Sequence, residues 1–207
     1  MENVRIINKH FVNGFYFVVN PIGDFLEATR VHPHVVTVAG LVFSVVSGLL
    51  FWKGYFFSAG IIMVVSGVCD VLDGRLARNT SRMSPFGALF DSTIDRYSEI
   101  AVFLGIAAYF NALLIYLLAI VAITGSLLTS YVRARAEGLG IDCRIGLMQR
   151  PERITFLATA AVFGGLFDRL FETNDLLIKM ALLAIAVLAN ITVLQRVMHV
   201  RKRLTSQ

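Results

Sequence analysis

Four aspartates stand out in a chain with few charges. Asp70 and Asp73 are three residues apart and Asp91 and Asp95 four apart, with Gly74, Ala77, Arg78 and Gly87 between the pairs. In a helix either spacing puts both members of a pair on one face. Two neighbouring helices would therefore aim four carboxylates into one pocket. Four such groups cannot all stay ionised together without cations. A ligand set of oxygens alone, with no His or Cys cluster beside it, favours a hard ion such as Mg²⁺ or Mn²⁺. The alternative is that the acids sit at helix ends in water and pair with arginines, as Asp73 could with Arg78. That explains one pair more easily than two pairs with glycines between them.

The elements that must carry these acids lie in a membrane. Of the 207 residues, 57% are hydrophobic and 16% charged, against roughly 25% charged in a soluble domain, and the mean hydropathy is +0.71. A small globule has too little interior to hide that much apolar surface. With Cys69 inside an apolar run, the two cysteines indicate no disulfide framework. The 19 Lys and Arg against 14 Asp and Glu collect at the ends of apolar runs, so no nucleic-acid partner is expected. The expected fold is an all-α integral membrane protein with six transmembrane helices, near Val35–Trp52, Tyr55–Ala77, Phe86–Phe110, Leu113–Tyr131, Ile154–Phe171 and Leu176–Leu194. Turn chemistry marks the breaks at Lys53-Gly54, Ser84-Pro85, Asn111, Gly138-Leu139-Gly140 and Asn174-Asp175. Residues 34–207 then form the membrane domain. Residues 1–33 form an amphipathic interfacial arm, broken by Pro21 and Pro33, in which Phe11, Phe15, Val18 and Ile22 recur at helical spacing with Lys9, Asn13 and Asn20 between them. This opening stretch lacks the compact apolar run and small-residue cleavage site of a signal peptide.

Arginine placement sets the expected orientation. Arg5, Lys9 and Arg30 precede the first span, and Arg78 and Arg82 join the second to the third. Arg133, Arg135, Arg144, Arg150 and Arg153 join the fourth to the fifth, and Arg196, Arg201, Lys202 and Arg203 end the chain. The opposite connections hold only Lys53 and Arg169. The positive-inside rule then puts both termini and the carboxylate pocket on the cytoplasmic face of the cell (inner) membrane.

The series Asp70-x2-Asp73-Gly74-x2-Ala77-Arg78-x8-Gly87-x3-Asp91-x3-Asp95 resembles the signature of the CDP-alcohol phosphotransferase (CDP-alcohol phosphatidyltransferase) family at every defined position. The six-span plan extends the likeness over nearly the whole chain. The resemblance implies an enzyme that displaces CMP from a CDP-linked lipid, with another alcohol as nucleophile. It implies two Mg²⁺ or Mn²⁺ ions, one on Asp70, Asp73 and Asp91 and the other on Asp70, Asp91 and Asp95, with Asp95 also the general base. A pair of ions suits the chemistry, because it neutralises a diphosphate and stabilises a leaving oxygen. Gly74 would let the cytidine approach the backbone, and Arg78 would bind a phosphate. Ser84 and the stretch His34-Val35-Val36-Thr37 match further CDP-lipid positions; His34 stands where Asn or Asp is frequent. Relatives are homodimers, so a homodimer is expected.

For the acceptor the clue is Ser130-Tyr131-Val132-Arg133-Ala134-Arg135-Ala136-Glu137 with Arg150-Pro151-Glu152-Arg153. Both flank one connection, and a cationic cluster beside a metal site calls for an anion, most simply a phosphate on the acceptor. The alternative is topology plus attraction to anionic headgroups. These two motifs look like the phosphatidylinositol phosphate synthase branch of the family in bacteria and its archaeal inositol-lipid relatives. By that resemblance Ser130, Arg133 and Arg153 bind the phosphate of inositol phosphate, with Arg196, or else Arg201, as a fourth basic residue. Arg133 stands where Lys is common. The expected reaction moves a phosphatidyl group from CDP-diacylglycerol to 1D-myo-inositol 3-phosphate. The alternatives are a phosphatidylglycerol phosphate synthase using glycerol 3-phosphate and a small cation transporter.

Overall fold

The computed structural model describes the backbone of residues 9–171 and 175–205 and the side chains of 19–167 and 175–205. Arg5 and Asn174 lie outside the described residues, as do the side chains of Lys9, Phe11, Asn13, Phe15, Val18 and Arg169. The described elements are α1 (Lys9–Ala28), α2 (Pro33–Trp52), α3 (Phe56–Asn79), α4 (Pro85–Phe110), α5 (Leu113–Glu137), α6 (Arg150–Phe171) and α7 (Leu176–Thr205), with no strand among them. The helix starts follow local chemistry. His32 caps α2 and Ser84 caps α4, each followed by a proline at the first helical position, where the missing N–H costs nothing. Asn111, in the left-handed region at φ 45°, ends α4.

The expected spans and observed helices agree in order and differ at their ends. Pro21 does not break the amino-terminal segment: α1 runs through it. Helix α5 continues past Tyr131 to Glu137, α6 begins at Arg150 rather than Ile154, and α7 continues past Leu194 to Thr205. In each case polar helix extends beyond the apolar stretch that marks a span, because hydropathy reports where lipid ends and not where the helix does.

Helix α2 packs on both α3 and α4, α3 on α6, α6 on α7, α7 on α5 and α5 on α4, which closes a ring of six; α1 lies against α3. Phe51, Ile106, Leu157, Ile178, Leu182 and Ile185 fill the centre. A second cluster of Val19, Val36, Cys69, Leu72 and Leu76 seats α1 on α2 and α3. Contacts between helices rely on small residues. A Cβ on Gly105 would stand 2.0 Å from the Gly48 carbonyl oxygen, so α2 and α4 touch backbone to backbone, as helices do where lipid supplies no hydrophobic drive. Ser66 bridges α2 and α3 through the Ser44 hydroxyl (2.7 Å) and the Gly40 carbonyl (2.8 Å).

The outer surface is apolar, with Val42, Leu49, Leu117, Ile120, Leu183 and Leu194 all exposed. Such a surface needs lipid, and the chain is an all-α integral membrane protein. Among the described residues four helices, α2, α3, α5 and α7, are long and apolar enough to cross a membrane by length and composition. Helices α4 and α6 were also expected to span. They are long, but Asp91, Asp95, Arg96 and Glu99 interrupt α4, and Arg150, Glu152 and Arg153 open α6. Asp91, Asp95, Glu99, Arg150 and Arg153 face inward at one end of the ring, and Arg96 lines an open groove between α4 and α5.

Candidate active site

Helices α3 and α4 both pack on α2, which brings their acids together near the end where α3 finishes and α4 and α6 begin. One carboxylate oxygen each from Asp70, Asp91 and Asp95 lie within 4.8 Å of one another. Asp73 lines the same cleft beside Thr37 and is buried. Asp73 Oδ2 and Asp91 Oδ1 are buried with no hydrogen-bond partner. Buried oxygens left unpaired are expensive, and three convergent carboxylates plus two orphaned oxygens fit a hard divalent cation. A further side chain enters the cleft: Arg150, the first residue of α6, places Nη1 2.6 Å from Asp70 Oδ1 and Nη2 2.7 Å from Asp95 Oδ1.

Around this centre the residues expected to hold a CDP-lipid take distinct places. Gly74 faces the exposed Arg78, and a Cβ there would meet the Arg78 Nη1 at 3.3 Å, so the missing side chain leaves a notch beneath a guanidinium. His34 lies edge-on to Phe90 and Phe86, with ring centres 5.1 and 6.0 Å away. The Ser84 hydroxyl accepts the Gly87 N–H at 3.0 Å, which gives it a capping task. Thr37 is buried and donates to the Pro33 carbonyl. Val36 belongs to the core beneath α1, whereas Val35 points outward. Arg75, an undefined position in the signature, ties α1 down by pairing with Asp24 and with Glu27 at 3.0 Å.

The expected acceptor residues lie around the same end, and most are already engaged. Arg153 is buried and forks onto Glu99 of α4, Nε to Oε1 at 2.8 Å and Nη2 to Oε2 at 3.1 Å, and it also donates to the Met148 carbonyl. Arg196 is buried, donating from Nε to the Ile145 carbonyl at 2.8 Å and from Nη1 to the Thr129 carbonyl at 2.5 Å. Half-exposed Arg133 pairs with Glu137 at 2.9 Å, and Arg201 is exposed. Ser130 faces an open groove of about 520 Å³ between α4 and α5, shared with Thr93, Arg96 and Tyr131. The sequence places Arg150 in the cationic cluster expected near the pocket but gives it no individual site role, and it gives Glu99 none. Glu99 lies one turn beyond Asp95 on the same face, and Arg150 one turn before Arg153, so extending the helical spacing in each direction was the available signal.

A ring of membrane helices with a carboxylate cleft at one end defines a membrane-embedded protein with a candidate metal site, and the family match makes it a metal-dependent transferase. Residues 30–195 match the CDP-alcohol phosphatidyltransferase family, and the chain belongs to that family. It is 33% identical over 201 residues to the phosphatidylinositol phosphate synthase of Cutibacterium acnes, covering 94% of this chain and 97% of that one. It is 34% identical over 203 residues to the archaetidylinositol phosphate synthase of Methanothermobacter thermautotrophicus, covering 96% and 98%. The fold matches the crystal structure of Mycobacterium tuberculosis phosphatidylinositol phosphate synthase with CDP-DAG bound, with a TM-score of 0.76 at 31% identity over 88% of this chain and 93% of that one. The same enzyme in complex with manganese and citrate matches with the same score over 88% of each chain.

Proposed function

We propose that this protein transfers the phosphatidyl group of CDP-diacylglycerol to 1D-myo-inositol 3-phosphate, giving phosphatidylinositol phosphate and CMP. The observation that carries the reading is the convergence of Asp70, Asp91 and Asp95 within 4.8 Å at the arginine-rich end of the bundle. Support for the lipid donor comes from the CDP-DAG-bound relative, and support for the acceptor from the names of the bacterial and archaeal relatives. Asp70, Asp73 and Asp91 would hold one divalent ion and Asp70, Asp91 and Asp95 a second. When bound, such ions neutralise the diphosphate and the charge that develops on the departing CMP. Asp95 takes the proton from the acceptor hydroxyl as that oxygen attacks the lipid-linked phosphorus. The notch at Gly74, the Arg78 fork, Ser84 and the start of α2 from His34 to Thr37 hold the CDP headgroup. Ser130, Arg133, Arg153 and Arg196 form the basic wall that selects a phosphorylated acceptor.

In this reading residues 34–207 are the catalytic unit and residues 1–33 an interfacial arm. Helices α4 and α6 cross the membrane beside the four more apolar ones, and both termini and the cleft face the cytoplasm of the cell. The working form is a homodimer. The test is an acceptor panel run with purified protein, CDP-diacylglycerol and Mg²⁺, with CMP release as the readout. Inositol phosphate should support turnover, and glycerol 3-phosphate and free inositol should not. Faster turnover with glycerol 3-phosphate, or robust use of unphosphorylated inositol, would overturn the acceptor assignment.

A further inference from the structure

Arg150 lies among the carboxylates that converge in the cleft. Its two guanidinium tips bridge Asp70 and Asp95 at 2.6 and 2.7 Å, two of the three acids whose oxygens converge. The space left in the cleft is about 10 Å³, room for about one water molecule. Arg150 Nε is buried with no hydrogen-bond partner, and among the described residues the guanidinium forms its ion pairs through the two bridges at its tips. Its neighbour one turn on, Arg153, is by contrast locked by a forked pair with Glu99 and a carbonyl. One arginine in the α3–α4–α6 corner is thus fixed as a strut, and the other is lodged among potential metal ligands.

Charge gives that lodging a purpose. Asp70, Asp73, Asp91 and Asp95 share a narrow cleft inside an apolar bundle, where mutual repulsion is poorly screened. A cation already inside relieves the repulsion and keeps Asp70 of α3 and Asp95 of α4 drawn together. Those same lone pairs are then unavailable to a divalent ion, so the arginine and the metal compete.

We propose that Arg150 is the resident, exchangeable counter-ion of the carboxylate cleft: it bridges Asp70 and Asp95 while the cleft lacks metal and gives up that position when metal binds. The proposal rests on the metal reading of the cleft given above. It makes a prediction opposite to that of a merely structural arginine. A residue that props the ligands in place should weaken metal binding when removed, and a residue that serves only the acceptor should leave it unchanged. Removal of a competitor should strengthen it.

The test measures Mn²⁺ binding to purified full-length protein, without lipid substrate, by the loss of the free-ion electron paramagnetic resonance signal. Arg150→Gln should bind Mn²⁺ at least tenfold more tightly than wild type, with Arg150→Lys between the two. In EDTA the Gln variant should melt below wild type, and Mn²⁺ should raise its melting temperature by more than it raises that of wild type. An unchanged or weakened Mn²⁺ affinity in Arg150→Gln overturns the proposal. Should the variant not fold, wild type suffices. Modification of Arg150 by phenylglyoxal, read by peptide mass spectrometry against exposed Arg144, should accelerate when Mn²⁺ is added; an equal or slower rate overturns the exchange. Wild-type protein that binds no Mn²⁺ would remove the metal site itself, and this outcome is distinct from wild type binding normally while Arg150→Gln shows no gain.

Discussion

At the scale of single residues, the acids in the cleft differ in what surrounds them, and the differences assign separate tasks. Asp73 is buried and sits beside Thr37, suited to hold an ion. Asp95 lines the cleft where α4 meets Arg150 of α6, and in the proposed reaction it is the base. Asp95→Asn should therefore abolish CMP release while CDP-lipid affinity stays within a few-fold, because an amide cannot accept the proton and Asp70, Asp73 and Asp91 remain. Turnover of the purified variant within tenfold of wild type would remove Asp95 from that role. The oxygen-only ligand set also predicts that activity disappears in EDTA, returns with Mg²⁺ or Mn²⁺ and does not return with Ca²⁺, whose larger and more flexible coordination suits compact phosphate geometry poorly. Full activity after exhaustive chelation would contradict this. The four aspartates were legible in the sequence because helical spacing alone fixes which acids share a face. The cationic cluster holding Arg150 was legible too, but its direct pairing with Asp70 and Asp95 was not, because those partners are about 80 and 55 residues away in the chain and only the packing of the helices brings it to them.

At the scale of elements, α4 and α6 meet through charge. Glu99 and Arg153 form a forked pair with side-chain exposures of 12% and 3%, so removing one partner strands the other. Arg153→Gln should lower stability by about 3–5 kcal/mol, measured by thermal unfolding in detergent. Glu99→Gln combined with Arg153→Gln should recover much of that loss, because no uncompensated charge is left. A double variant as unstable as the single one would show that the pair is not the cause. The cycle also isolates acceptor binding. If Arg153 contacts the acceptor phosphate, the restabilised double variant should still show a Michaelis constant for inositol phosphate raised tenfold or more, with the constant for CDP-diacylglycerol little changed. The helices themselves were read from apolar runs almost residue by residue where lipid bounds them. They were misjudged where polar helix projects beyond it, at Glu137 and Thr205, and at Pro21, where α1 tolerates one missing hydrogen bond. The ring order could not be read at all, since it depends on backbone approaches such as Gly48 to Gly105 that no one helix encodes.

At the scale of the whole molecule, the question is how many helices cross the membrane, and the charge inside α4 and α6 makes it testable. If only α2, α3, α5 and α7 cross, Met83 ahead of α4 and Ala112 behind it lie on the same side. If all six helices of the ring cross, the two positions lie on opposite sides. The packing favours the proposed six-span arrangement: α4 touches α2 and α5, and α6 touches α3 and α7, so either helix leaving the bilayer would open the ring and expose the central core to lipid headgroups and water. Its internal charges do not forbid this, because each acid or arginine in the cleft faces another and not lipid. The two ends of the bundle also differ in kind. One gathers Asp70, Arg75, Asp95, Arg150 and Arg196, and at the other Lys53 lies over the Trp52 ring and Lys179 over Phe110, an aromatic rim of the sort found at a membrane interface. Single cysteines at Met83→Cys and Ala112→Cys, labelled in sealed vesicles with a membrane-impermeant maleimide, separate the two arrangements. The native thiols should stay silent, since Cys69 and Cys143 are both buried and burial pushes the Cys143 thiol up from its ordinary range, leaving little reactive thiolate. Right-side-out vesicles should label the cysteine at 112 and spare that at 83, and inside-out vesicles should reverse the pattern. Labelling of both positions from one side would overturn the six-span arrangement by showing that α4 does not cross, and would place α4, with Asp91 and Asp95, on the membrane surface.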